Sequence, residues 1–378
     1  MARASTVRFM ERERDRRRLS AQQLVGPPAE SVTKVVDRLL AVQAQDLVAA
    51  KLAVRARTVG LTVADVDREL QNRTLVVTWL NRGTLHLVRS QDYWWLQRLT
   101  TPQLAVSNAR RLAQEGVSAV QAERGVAAIE AALCADGPLT RAQLRGVLVA
   151  ADVPVAGQAL VHILFLTALR GLTVRGPMTG AEQAFVLVRD WLGHPPGTIA
   201  GTVGDRDADL SLLARRYLAG HGPADDRDLA RWAGITLGDA RRGLRGAGTD
   251  LRERPGGFVD LEERPGGLVD LEERPGGLVD LAGREAPKGW PRPKLLGGFD
   301  PLLHGWVDRT PVLGKDTSIV TSNGIFRPFA LVDGRAVATW TMPGRRVTLR
   351  PFGSITAKVR ADLDREAVDV ERFLTSAH

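Results

Sequence analysis

Thr74-Leu75-Val76-Val77-Thr78-Trp79-Leu80, Asn81-Arg82-Gly83 and Thr84-Leu85-His86-Leu87-Val88 follow one another at residues 74–88. Two β-branched, apolar runs around a short glycine turn make a β-hairpin. Three stretches with helical spacing precede it. Residues 31–42 carry apolar side chains at 32, 35, 36, 39, 40 and 42, which gives a helix with one buried face. Residues 47–57 form a second amphipathic run, and residues 62–70 a third with Thr62 as cap and Asp65 in its first turn. Helices followed by a hairpin constitute a winged helix, a nucleic-acid-binding variant of the helix-turn-helix. Arg82 falls on the hairpin tip and His86 within the return strand. A half-buried strand histidine with a satisfied ring nitrogen is as good a reading of His86 as a role at a site.

Between the first two helical patterns lies Leu39-Leu40-Ala41-Val42-Gln43-Ala44-Gln45-Asp46. In a regular helix, side chains two apart point to nearly opposite faces, so Gln43 and Gln45 share a target only if the helix ends or distorts there. Asp46, just ahead of an apolar-periodic run, suits an N-cap and puts both glutamines at a helix-helix junction. Two solvated glutamines at a helix end are the plainer reading of an isolated Gln-x-Gln.

The same plan recurs along the chain. Residues 126–133, 139–149 and 154–169 have helical character, and Leu172-Thr173-Val174-Arg175 supplies a short strand, a second unit read mainly as scaffold. After a linker at 193–204, residues 210–218, 226–232 and 236–244 give a third set of helices. On its last helix Arg241, Arg242 and Arg245 are candidates for phosphate contacts, with a solvated arginine face as the alternative. A ten-residue tandem repeat built on Arg-Pro-Gly-Gly occupies 252–281, its two later copies net acidic. Its turns and strands would extend the third wing into a small meander, and its charge places it away from phosphate. The final segment is β-rich: residues 295–309, then 323–328, then a hairpin around Asp333-Gly334 with strands at 326–332 and 335–341, and a docking helix at 361–374. Asp300, before Pro301, has the sequence context of a turn-former.

At 378 residues with a formal charge of +9, the chain exceeds one typical domain and favours a polyanionic partner, nucleic acid ahead of a membrane surface. Only residues 34, 51, 288, 294, 315 and 358 are lysine, and codon bias alone would give such an arginine excess. Cys134 is the single cysteine, which excludes an intramolecular disulfide and a cysteine-rich zinc module and fits a reducing cytoplasm. The arginine-rich start, residues 11–18, has no apolar run behind it and is not a secretory signal. Its alternating charges favour a first helix with a solvated face over a flexible phosphate-seeking arm. The longest apolar stretch, 159–169, is too short to span a bilayer.

Leu40-Ala41-Val42-Gln43-Ala44-Gln45-Asp46, together with Thr78-Trp79-Leu80-Asn81-Arg82-Gly83-Thr84-Leu85-His86-Leu87-Val88 and phrases of the C-terminal region, resembles the AlkZ-type winged-helix DNA glycosylases, a family that includes azinomycin-resistance enzymes. The likeness runs from about residue 19 to 374 and leaves out the decapeptide repeat. It implies catalysis on Gln43 and Gln45, and action on bulky adducts or interstrand crosslinks. The expectation is an α+β protein of three tandem winged-helix units with a β-rich C-terminal segment, forming a concave basic DNA-binding surface. Its divisions are 1–19, 20–116, 117–200, 201–290 and 291–378. Arg82, His86, His304, Arg309, Arg327, Arg241, Arg242 and Arg245 are the candidate DNA-binding residues.

Glycoside hydrolysis commonly recruits two carboxyl groups, and a glutamine amide replaces neither because it does not titrate in the useful range. A purine alkylated at N7 already carries positive charge and leaves as a neutral base. The expected reaction is therefore monofunctional excision of N7-alkylated purines from double-stranded DNA, leaving an abasic site, by a cytoplasmic monomer needing neither metal nor cofactor. Asp46 is the rival base. The competing classes are a non-catalytic winged-helix regulator and a damage-binding protein without chemistry. Three tandem units in one chain are awkward for palindromic half-sites.

Overall fold

The computed structural model describes residues 2–180, 182–194, 205–248, 271–274, 277–314, 318–321 and 323–375. In chain order it begins with α1 (Ala2–Ala21), α2 (Val32–Leu39), β1 (Val42–Gln43), α3 (Leu47–Arg55), α4 (Val63–Gln71), β2 (Leu75–Leu80) and β3 (Thr84–Arg89). It continues with α5 (Tyr93–Thr100), α6 (Leu104–Gln114), α7 (Ala119–Asp136), α8 (Arg141–Ala150), α9 (Ala159–Leu169), β4 (Thr173–Thr179), β5 (Glu182–Leu187) and α10 (Val188–Leu192). Next come α11 (Arg206–His221), α12 (Asp226–Ala233), α13 (Leu237–Gly248), β6 (Leu271–Arg274) and β7 (Leu278–Leu281). The last are β8 (Lys294–Leu296), α14 (Thr310–Leu313), β9 (Phe329–Val332), β10 (Arg335–Thr341), β11 (Thr348–Pro351) and α15 (Ala357–Thr375). The protein is α+β. Three helices followed by an antiparallel hairpin recur along the chain as α2–α4 with β2–β3, α7–α9 with β4–β5, and α11–α13 with β6–β7. Among the described residues no helix is long and apolar enough to cross a membrane.

By compactness the chain divides into two units, residues 67–204 and residues 1–66 with 205–378. In the first, two hairpins join through the Val77–Arg175 pairing, giving four strands in the order β3-β2-β4-β5. One face of that sheet packs Trp79, Phe185 and Leu187 against Ile129, Leu144, Leu148, Ile163 and Leu164 from α7, α8 and α9. Ser118 and Thr140 start α7 and α8 as reciprocal capping boxes with Gln121 and Gln143, which satisfies otherwise orphaned N–H groups at both helix starts. Where a single short strand at residues 172–175 is expected, the chain forms the full β4–β5 hairpin.

The second unit is built from both ends of the chain. Four strands in the order β11-β10-β9-β8 turn at Asp333 and Gly334, both with positive φ (48° and 77°), as the Asp-Gly pair predicts. Leu363, Val370 and Phe373 of α15 are buried. Arg55, at the end of α3, donates to Leu295 O at 2.6 Å, Glu366 at 2.9 Å and Asp369 at 2.8 Å. Two residues on, Arg57 and Asp300 form a bidentate ion pair at 2.9 Å in which neither side chain has any solvent exposure. Asp300 also accepts from Leu302 N at 2.9 Å, so it is the expected turn-former and an ion-pair partner as well.

Two expectations change. The helix predicted over 31–42 stops at Leu39. Leu40 turns out of it at φ 63° and is fully buried, so burial of Leu40 and Val42 outweighs the local helical spacing. The arginine-rich start is helical as favoured, but Arg17 and Arg18 are buried rather than solvated: Arg18 donates to Pro223 O at 2.9 Å and lies 4.7 Å over the Trp306 ring. Most of the decapeptide repeat, 251–270 and 275–276, lies outside the described residues, while its last copy supplies the paired β6 and β7.

Removing one partner of a buried ion pair leaves an uncompensated charge at a cost of about 3–5 kcal/mol. Asp300→Ala is therefore expected to lower unfolding free energy by about that amount in urea titrations. A loss below about 1 kcal/mol would mean that Arg57 reaches water in solution.

Candidate active site

After Leu40 the chain runs through β1 and Ala44 to Asp46, which is extended at φ −115° and ψ 113°. Its carboxylate accepts from Val48 N at 2.9 Å and Ala49 N at 3.2 Å and so caps α3 as predicted. Residues 43–45 are not helical, so the opposite-face geometry of a helix does not separate the two glutamines. They stand at different depths. Gln43 is 7% exposed, whereas Gln45 is at the surface. The Gln43 Oε1 is buried and accepts no hydrogen bond from any described residue. A buried amide carbonyl with no donor calls for an explanation, because burial without a partner costs about 1–3 kcal/mol.

The C-terminal region crosses α3 one turn beyond this cap. A Cβ at Gly297 would lie 3.0 Å from Leu52 Cβ and 3.2 Å from Ala49 O, so only glycine allows the strand end to pass so close. From there the chain turns at Phe299 (φ 57°) into the Asp300 anchor and a short 3-10 turn, Pro301–Leu303. His304 follows, its ring 4.4 Å from Phe326 and stacked 6.2 Å from Phe299. Arg309 donates to Leu303 O at 2.6 Å and lies 5.2 Å over Phe326, and burial lowers its pKa. His304 and Arg309 thus converge on one aromatic platform. Arg327 follows Phe326 in sequence and is exposed, with its N–H donating to Ile319 O at 2.8 Å.

The other unit carries Arg82 and His86 on the β2–β3 hairpin. Thr78 lies opposite His86, and Leu80 opposite Thr84. His86 is 4% exposed, and its Nδ1 donates to Thr84 O at 2.8 Å. Burial, reinforced by the Arg82 charge, pushes its pKa down to about 3, so the imidazole is neutral and its other nitrogen is an acceptor. Among the described residues no three His, Cys, Asp or Glu side chains are grouped so as to hold a metal ion.

A family model described as DNA glycosylase AlkZ-like matches residues 36–373, a span that includes the Gln43-Ala44-Gln45 turn, the β2–β3 hairpin and the aromatic platform. The chain belongs to the AlkZ-like DNA glycosylase family. An interstrand DNA cross-link repair glycosylase of Streptomyces sahachiroi is 28% identical over 367 residues, covering 94% of each chain. The solved structure of Streptomyces sahachiroi DNA glycosylase AlkZ shares the fold at a TM-score of 0.72 and 24% identity, over 96% of each chain.

As a DNA glycosylase the chain acts on DNA, and its candidate phosphate contacts on α13 need weighing against their carboxylate neighbours. Arg241 pairs with Asp226 at 2.6 Å, and Arg242 with Asp207 and, at 3.4 Å, Asp239. Arg245 is exposed. Phosphate would have to compete with Asp226 and Asp207 for the first two. The sequence reading passed over Phe299 and Phe326, and also Thr78, Asn81 and Thr84. For Thr78, Thr84 and His86 the signal was present, since alternation puts all three on one face of the hairpin.

His86 makes acid sensitivity predictable. Its folded value is about 3 against an ordinary 6.5, so below 6.5 the unfolded chain takes up a proton that the folded chain does not. Stability then falls as pH drops from 6.5 towards 3, by up to about 1.4 kcal/mol per pH unit from this group. In urea titrations between pH 4 and 7, His86→Gln is expected to show a shallower decline than wild type. Parallel curves would place the histidine in water.

Proposed function

We propose that this AlkZ-like enzyme hydrolyses the N-glycosidic bond of N7-alkylated purines in duplex DNA without a lyase step, with Gln43 and Gln45 as its catalytic residues. The observation that carries this reading is the buried Gln43 Oε1 with no donor among the described residues, one residue away from the exposed Gln45. Alkylation at N7 makes the purine cationic. As the C1′–N9 bond breaks, the electron pair leaves with the base, which departs neutral and needs no proton. Water bonds to C1′ and gives its proton to solvent. The two amides orient that water and favour the oxocarbenium-like sugar through their carbonyl dipoles, a preorganised arrangement that requires no titrating group.

The relative named for interstrand cross-link repair supports bulky or crosslinked N7 adducts as substrates. A base tethered to the opposite strand cannot be fully flipped into a closed pocket. Gln45 at the surface suits such a substrate. The engagement of Asp46 by two backbone N–H groups favours capping over service as the base.

Purified protein is expected to release 7-methylguanine from an alkylated duplex. Gln43→Ala and Gln45→Ala should bind the duplex yet release at least about a hundredfold less base, in line with loss of a preorganised dipole. Asp46→Asn keeps a capping oxygen and should retain release within a few-fold, and borohydride should trap no covalent adduct. Equal release by wild type and both glutamine variants would remove the pair from the mechanism. A collapse in Asp46→Asn would install the carboxylate as base.

A further inference from the structure

The β2–β3 hairpin buries more unpaired polar atoms than a strand pair needs. Thr78 Oγ1, Thr84 Oγ1 and both amide atoms of Asn81 have no hydrogen-bond partner, and Thr78 and Asn81 are each 1% exposed. Native structures leave few such atoms, each costing about 1–3 kcal/mol. The opposite face needs no such explanation, because Trp79 and Leu85 there enter the hydrophobic core with Phe165 and Phe185. Thr78, Thr84 and His86 share the other face, since Thr78 pairs with His86 and Leu80 with Thr84. Asn81 enters the turn at φ 53°, its own N–H held by Thr100 Oγ1 at 3.0 Å.

This set has a definite chemical character. Asn81 offers one donor group and one acceptor, the threonine hydroxyls either, and the second nitrogen of His86 an acceptor. None of the four is charged, so an anion has no ionic partner among them. Thr78 and Asn81 are about 10 Å apart along the strand, at roughly 3.3 Å per residue. One water, reaching about 2.8 Å on each side, cannot serve both. A planar heterocycle with several donors and acceptors around its rim can.

We propose that Thr78, Asn81, Thr84 and His86 form a neutral hydrogen-bonding site for the rim of the purine base, held as substrate or after release. It deepens the base-releasing reading above and rests on it for the identity of the ligand. Asparagine is the residue that pairs two points of a purine edge. With N7 blocked by alkylation, its amide N–H₂ finds the exocyclic oxygen of guanine instead.

The test is calorimetric titration of the full-length protein with free 7-methylguanine, which needs no turnover. Wild type binds the base. Asn81→Leu and the isosteric Thr78→Val weaken binding by about tenfold or more, with unfolding midpoints not lowered and affinity for undamaged duplex within about twofold. Gln43→Ala keeps free-base binding. If wild type binds the free base through Asn81 but releases none from alkylated duplex, the hydrolytic reading fails and this site stands. Equal binding by wild type and both variants overturns the proposal, and so does no binding by wild type, which would assign these atoms to ordered water.

Discussion

The unit carrying the glutamine pair depends on the guanidinium of Arg57, a permanent charge with no access to solvent. All five of its N–H groups are used: to Asp300 twice at 2.9 Å, to Gln22 O at 2.7 Å, to Gln22 Oε1 at 3.0 Å and to Ala53 O at 2.9 Å. Desolvating a cation costs several kcal/mol, and only such complete satisfaction makes its burial tolerable. Gln22 passes the connection on, donating to Gly220 O at 2.9 Å. The end of α1, the end of α3, α11 and the Asp300 turn are thereby fixed to one another. Because α3 is a rigid rod of nine residues, fixing its C-terminal end fixes its capped N-terminal end and the glutamines just before it.

What could be read from the sequence follows the range of the interactions. The β2–β3 hairpin, the Asp46 cap and the Asp333-Gly334 turn are decided within a few residues by side-chain alternation, an acceptor near free N–H groups and positive φ. The helix-hairpin order was legible for the same reason. The partner of Arg57 is 243 residues away, and no local pattern announces it, so Asp300 read only as a turn. The end of α2 was missed because burial of Leu40 is a tertiary fact. Of the candidate site, the glutamine turn and the hairpin histidine were visible as motifs. The aromatic platform was not, since Phe299, His304 and Phe326 meet only after β8 crosses α3.

The arginines show why net charge is a poor map of a DNA surface. Arg17, Arg18, Arg55, Arg57, Arg216 and Arg284 are buried or half-buried and engaged with carboxylates or carbonyls, while Arg241 and Arg242 face aspartates. Burial pushes the Arg284 guanidinium down to about 10, yet it stays charged at neutral pH beside Asp280. These cations contribute to the formal +9 without offering phosphate an unopposed partner. An arginine excess is therefore partly structural, and the conversion from charge to contact has to be made residue by residue.

On the proposed chemistry, neutrality near the reacting base is an advantage. An alkylated purine brings its own positive charge to the bond that breaks and loses it on departure. A cationic histidine would repel the substrate. A buried carboxylate would hold the charged ground state as well as the sugar cation, which lowers the barrier less than groups that favour the transition state alone. Amide and hydroxyl dipoles keep their strength in a low-dielectric interior without being titrated away. Gln43 and, on the other unit, Asn81, Thr78 and neutral His86 all have that property. Hydrolysis through such groups should track the charge on the base rather than the pH of the medium.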